Sequence, residues 1–234
     1  MTMLGLVAVF GAESTIDYYR RMVETWERVE PSAAPSIVID LLDAPRLLHL
    51  AATDHSALAE FLLVSLRRLD AAGVDFAAMT ANTAHIVFDE LAARSPVPLL
   101  SIVDVCVDEA QRRGLRRLAL LGTRYTMEAA LFPDACARRG IDIVLPDPAD
   151  RVWVHERYVG QLLKGDLRDA TRLEFLALVR RLRDERDIDG VILGGTELPP
   201  LLRSPLLEGV PALDTTGIHV AAIVERLRQP AQPV

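Results

Sequence analysis

Several features are scarce or missing in this sequence, and most of these absences exclude something. Only two cysteines, Cys106 and Cys136, occur in 234 residues. They are isolated from each other, so neither a disulfide framework nor a cysteine metal site is expected, and no metal is assigned. No apolar run approaches the ~20 residues needed to cross a bilayer, so no membrane partner is expected. The opening "MTMLGLVAV" has no basic flank and reads as a buried strand rather than a leader, from which a cytoplasmic location follows by default. Basic tracts are also missing. Net charge is −7, and arginines are mixed with acids, as in "RRLRDERD" at 180–187. That pattern describes a solvated helix face and leaves nucleic acid without a binding patch. Lysine is the scarcest of all: Lys164 is the only one among 26 basic residues.

What is present is a regular alternation. Apolar runs at 3–9, 36–42, 74–79, 97–102, 117–121, 141–145, 189–193 and 210–213 predict strands. Amphipathic stretches such as 56–72 and 171–186 predict helices between them. The strand runs are continuous rather than alternating, which implies burial on both faces and a mostly parallel sheet. The fold class is therefore α/β.

In such sheets ligands bind beyond the carboxyl ends of the strands. Five polar stretches fall there: "GAEST" (11–15), "TANTAH" (80–85), "GTRYT" (122–126), "GGTE" (194–197) and "DTTGIH" (214–219). Hydroxyls dominate all five. A single Ser or Thr at such a place commonly serves as a helix N-cap. Five clusters together describe neutral donors and helix N-termini suited to a small carboxylate. The chain also echoes itself: "GLVAVFGAEST" parallels "RLALLGTRYT", and "MTANTAH" parallels "LGGTE". The echo predicts two related lobes.

The set "EST..YY" (13–19), "NTAH" (82–85), "GTRYTM" (122–127), "GTE" (195–197) and "DTT.IH" (214–219) resembles the aspartate/glutamate racemase family over roughly residues 3–228. The resemblance implies two pseudo-symmetric α/β lobes, 1–102 plus 214–234 and 103–213, with the active site between them. It implies no cofactor, a small carboxylate or amino-acid-like ligand, and a homodimer. It also implies one proton-transferring cysteine per lobe, within "CNT.H" and "GCTE". Here the matching positions are Ala81 and Gly195. A methyl group and a hydrogen cannot abstract an α-proton, so two-thiol racemisation is excluded. Cys106 and Cys136 lie away from strand ends and read as packing residues.

The rest of the motif set reads as ligand handling. By resemblance, Ser14, Thr15, Asn82, Thr83 and Thr196 hold the α-carboxylate, Thr123 is a further substrate-binding position, and Lys164 and Arg46 meet a distal carboxylate. Acid–base candidates are Glu197, His219, His85 and Tyr125, each of which also reads as a supporting residue retained from a thiol enzyme. His49, His55 and His155 are expected to be exposed. Gly11, Ala12, Ala81 and Gly195 are small, which predicts an enlarged pocket and a larger substrate. Three functions stay open: a repurposed isomerase, lyase, decarboxylase or cyclase; a catalytically silent carboxylate-binding protein; and a Cys-to-Ala/Gly variant of an amino-acid racemase.

Overall fold

The computed structural model describes residues 2–9 and 12–230, the side chains of 12–14 excepted. In chain order the elements are β1 (Met3–Ala8), α1 (Ala12–Val29), β2 (Ser36–Leu41), α2 (Ala44–Thr53), α3 (His55–Ala71) and β3 (Phe76–Met79). A 3-10 turn, Thr83–Val87, leads into α4 (Phe88–Arg94), followed by β4 (Leu99–Leu100) and α5 (Ile102–Arg112). Next come β5 (Arg117–Gly122), α6 (Arg124–Glu128), α7 (Leu131–Ala137), β6 (Asp142–Val144) and α8 (Pro148–Gly160). After a second 3-10 turn, Leu162–Lys164, the chain continues as α9 (Asp169–Arg186), β7 (Gly190–Gly194), α10 (Leu198–Leu202), β8 (Leu206–Leu207), β9 (Val210–Asp214) and α11 (Thr215–Arg228).

The chain divides into two compact units, Met1–Ile102 with Thr216–Val234, and Val103–Thr215. The first holds a parallel sheet of order β2-β1-β3-β4. The second holds the order β6-β5-β7-β9-β8, parallel except for the β8–β9 pair. The parallel strands of each sheet follow one topology: the unit's first strand lies inside, its second at the edge, and its third and last (β4 or β9) beyond. The echo in the sequence is therefore an echo in strand order.

Local sequence accounts for these elements. β1, β3 and β7 are buried along nearly their whole length, as continuous apolar runs in a parallel sheet require. On α1, Tyr18, Met22 and Trp26 recur at four-residue spacing. They pack with Leu4, Leu6, Phe76 and Ala78 and with Val220, Ile223, Val224 and Leu227 of α11. On α9, Thr171, Phe175, Leu178, Val179 and Leu182 form the buried stripe. The outward arginines of its "RRLRDERD" run pair with acids, as in Arg180–Glu208 (2.8 Å) and Arg186–Asp147 (2.7 Å). These are exposed pairs of small energetic weight.

Two local expectations need correction. The run 97–102 contributes only Leu99–Leu100 to the sheet, because Ile102 already begins α5. Pro98, which has no N–H, joins the ladder only through its carbonyl, which accepts from Ala77 N–H (2.9 Å). The two-residue strand β8 was not anticipated. It turns into β9 through Glu208 and Gly209, with φ of 50° and 88°, the left-handed pair that tight hairpins favour. No helix among the described residues is long and apolar enough to cross a membrane.

Candidate functional site

In the first unit the polar strand ends are internally bonded. Thr80 Oγ1 accepts from Val9 N–H (3.0 Å) and donates to Val9 C=O (3.1 Å), tying the ends of β1 and β3 together. Ala81, Asn82 and Thr83 follow, all at most 3% exposed. His85 is buried in the 3-10 turn. Its Nδ1 donates to the Ala81 carbonyl (2.9 Å) and its Nε2 accepts from Ile102 N–H (3.2 Å). A carbonyl can only accept and an amide N–H can only donate, so the ring is neutral with its proton on Nδ1.

His219, on α11, is fully buried. Its Nε2 donates to Leu100 C=O (3.3 Å), and its Nδ1 accepts from the Tyr18 hydroxyl (2.7 Å). Burial, with His85 nearby, pushes its pKa down to about 3. Both ring nitrogens of both histidines are thus bonded to protein groups. Thr15 lies on α1 and is half-buried. The side chain of Ser14 lies outside the described residues, as do Gly11 and the side chain of Ala12. Arg46 is exposed on α2, with its guanidinium 4.8 Å from the centroid of the Phe61 ring.

In the second unit, Thr123 is the N-cap of α6. Its Oγ1 accepts from Thr126 N–H (3.2 Å), with the Thr126 hydroxyl 3.1 Å away. Tyr125 is half-buried and meets His155 edge-on, with ring centroids 5.5 Å apart. His155 is half-buried rather than exposed, because its Nδ1 accepts from Arg124 N–H (3.2 Å) at the start of α6. Burial, then the Arg124 charge, lowers its pKa. His49 and His55 are exposed. Lys164 ends a 3-10 turn, exposed and without an ion pair among the described residues.

The densest chemistry lies just past β7. Thr196 Oγ1 donates to Glu197 Oε2 (2.7 Å), and the Tyr158 hydroxyl donates to the same oxygen. Burial raises the Glu197 pKa above the usual carboxylate range, against the lowering effect of these donors. Burial, with the Glu197 charge second, raises the Tyr158 phenol well above its ordinary value.

Tyr158, on α8, was not anticipated, and it changes the reading of Gly195. A Cβ built at Gly195 would fall on the Tyr158 hydroxyl and ring edge, with Cε2 at 2.5 Å and Cζ at 2.6 Å. The space a side chain at 195 would take is already filled. The expectation of an enlarged pocket is therefore corrected at this position: glycine is required by close packing, and the room goes to a tyrosine. No local signal in "VHERYVG" marks Tyr158, since its partner lies 39 residues away.

Cys106 and Cys136 are free and buried on α5 and α7. Burial raises both thiols, Cys136 to about 12. They stay protonated and pack as small apolar groups.

Comparison with known proteins agrees with this architecture. A family model described as Asp/Glu/Hydantoin racemase matches residues 7–223. RacX of Bacillus subtilis (strain 168), named a broad specificity amino-acid racemase, is 24% identical over 221 residues, or 92% of this chain and 93% of the relative. The crystal structure of a putative Asp/Glu racemase from Yersinia pestis superposes with a TM-score of 0.87 at 29% identity, covering 98% of this chain and all of the other. That of an aspartate racemase homologue from Pyrococcus horikoshii OT3 superposes with a TM-score of 0.82 at 26% identity, with the same coverage. The match spans nearly the whole chain, and the chain belongs to the Asp/Glu/Hydantoin racemase family.

Proposed function

We propose that the protein is a cofactor-independent enzyme that moves a proton at carbon on a small carboxylate or amino-acid derivative. The reaction class is isomerase, lyase, decarboxylase or cyclase, without the thiol pair. Glu197 carries this reading. Its carboxylate sits past the end of β7, largely buried, with two hydroxyl donors on one oxygen. A carboxyl group held above its usual pKa is suited to accept a proton near neutral pH and to return it. An amino-acid-like ligand is supported by the name of the Bacillus subtilis relative. Thr196, buried past the end of β7 beside Glu197, supplies a polar group for its carboxylate.

The test is incubation in D2O with a panel of amino acids and dicarboxylates, followed by NMR for exchange at carbon and for new products. We expect exchange with at least one compound, reduced roughly 100-fold or more in Glu197→Gln, since general acid–base groups contribute about that much. Absence of exchange and turnover with every compound that binds would refute the reading.

A second reading, a silent carboxylate-binding protein, draws on the first unit. There Ala81 offers only a methyl group, and all four ring nitrogens of His85 and His219 are bonded to protein groups. A rise in melting temperature with a dicarboxylate, without any exchange, would select it. The remaining reading, a Cys-to-Ala/Gly variant of an amino-acid racemase, is disfavoured at position 195 by Tyr158, because deleting a thiol alone would leave a void there rather than an aromatic ring; Tyr158 does not bear on Ala81.

A further inference from the structure

The position that the family resemblance gives to the second thiol is occupied by a different acid–base group. A side chain at 195 begins at a Cβ, and that point lies inside van der Waals contact of the Tyr158 hydroxyl and the adjoining ring carbons, with Cε2 at 2.5 Å and Cζ at 2.6 Å. A side chain at 195 and the phenol of Tyr158 therefore compete for the same space. The phenol oxygen is not idle. It donates to Glu197 Oε2, which also takes the Thr196 hydroxyl at 2.7 Å. Tyr158 is 2% exposed, so ring and hydroxyl are held by packing and by bonding with Glu197 and Thr196. Other hydroxyls at strand ends of this unit are engaged locally: Thr123 caps α6, and Thr215 donates to the Leu193 carbonyl (2.8 Å).

We propose that Tyr158 is a catalytic residue that replaces the second thiol, its hydroxyl relaying a proton between the ligand's acidic carbon and the Glu197 carboxylate. This rests on the proton-transfer reading above. In the forward step the C–H bond breaks and a new O–H bond forms at Tyr158 Oη. At the same time the original Tyr158 O–H bond breaks and its proton passes to Glu197 Oε2. The electron pair of the broken C–H bond stays on the ligand as an enolate. In D2O, deuterium from solvent replaces the relay's protons while the enolate is bound. In the return step the phenol O–H (now O–D) bond breaks as its deuteron goes to carbon, and Glu197 passes its own to Tyr158 Oη. A neutral phenol is a poor base alone, and the carboxylate behind it supplies the basicity. Glu197, raised by burial, is a stronger base than an exposed glutamate.

One consequence separates this device from a thiol pair. The relay removes and returns the proton on the same face of the carbon. Both transfers use one group, the Tyr158 hydroxyl. Exchange therefore proceeds with retention of configuration.

The experiment follows deuterium uptake from D2O by NMR, and chirality by chiral chromatography, on separate L and D panels. The proteins are the wild type, Tyr158→Phe, Glu197→Gln and Glu197→Asp. We expect wild-type exchange in one enantiomer without racemisation. Tyr158→Phe keeps the ring and should lose about 100-fold or more in kcat with KM little changed. Glu197→Asp should restore part of what Glu197→Gln removes. Fluorotyrosine at 158, which acidifies the phenol and leaves the packing nearly intact, should shift the pH profile of exchange. It covers the case in which Tyr158→Phe fails to fold. Wild-type exchange rates in Tyr158→Phe, or an unshifted profile with fluorotyrosine, overturn the relay and leave the Glu197 reading standing. Racemisation by the wild type overturns the one-sided geometry. Silence across the panel overturns both.

Discussion

At the scale of single residues, the informative pair is Gly195 and Tyr158. Glycine is needed at 195 because Tyr158 Cζ would lie 2.6 Å from any Cβ there, well inside van der Waals contact. Gly195→Ala should therefore destabilise by overpacking, by about 1–3 kcal/mol. The cost should largely vanish in a Tyr158→Ala background, because the clashing atoms are gone, although Tyr158→Ala itself leaves a cavity. A double-mutant cycle from denaturant midpoints should give a coupling of about 1 kcal/mol or more; additive changes would mean that the ring moves aside freely. The same geometry bears on rebuilding a thiol enzyme. Gly195→Cys alone meets the tyrosine, so Ala81→Cys with Gly195→Cys requires a smaller residue at 158 as well.

At the scale of elements, His219 joins three of them. It lies on α11, accepts from Tyr18 of α1 and donates to Leu100 of β4. Its pKa is lowered in the fold to about 3 from an ordinary 6.5. The neutral ring is thus favoured by folding, and the unfolded chain binds more protons between those two values. The contribution is complete above pH 6.5 and declines as the pH falls, by about 1.4 kcal/mol per pH unit. Between pH 6.5 and pH 5 this amounts to about 2 kcal/mol, which His219→Asn should not show. Trp26 in the first unit and Trp153 in the second are the two tryptophans. In a Trp153→Phe background, urea unfolding followed by Trp26 fluorescence at the two pH values checks this. Equal losses in both proteins would show that protonation of His219 is not what weakens the unit.

This scale also shows what the sequence could reveal. Doubly buried parallel strands such as β1, β5 and β7 write themselves as apolar runs, and α3 and α9 as 3.6-period stripes, so all were legible. β8 was not, because two residues carry no period. Of the site, the strand-end polar stretches were legible, since they follow the strands directly. Ala81 and Gly195 gained meaning only through resemblance, because a small residue signals nothing by itself. Tyr158 was illegible for a physical reason. Its function comes from a contact across 39 residues, and on α8 it reads as one more inward-facing aromatic.

At the scale of the molecule, the two units differ in how the chain builds them. The second is continuous, Val103–Thr215, and contains every strand of its sheet. The first is split: α11 returns after the second unit is complete, and its Val220, Ile223, Val224 and Leu227 belong to the same core as Leu4, Tyr18 and Phe76. A fragment of residues 102–215 retains its whole sheet and the Tyr158–Glu197 contact, and should fold alone. A fragment of residues 1–102 lacks four buried apolar side chains and the His219 bonds to Tyr18 and Leu100. At roughly 1.5–3 kcal/mol for each fully buried aliphatic side chain, that loss is comparable with the total stability of a small domain. It should be unfolded or molten by itself and should recover structure when a peptide of residues 214–230 is added. Circular dichroism and thermal melts of the two fragments, with and without the peptide, decide the matter. A cooperative melt of 1–102 alone would show that α11 only decorates the first unit rather than completing its core.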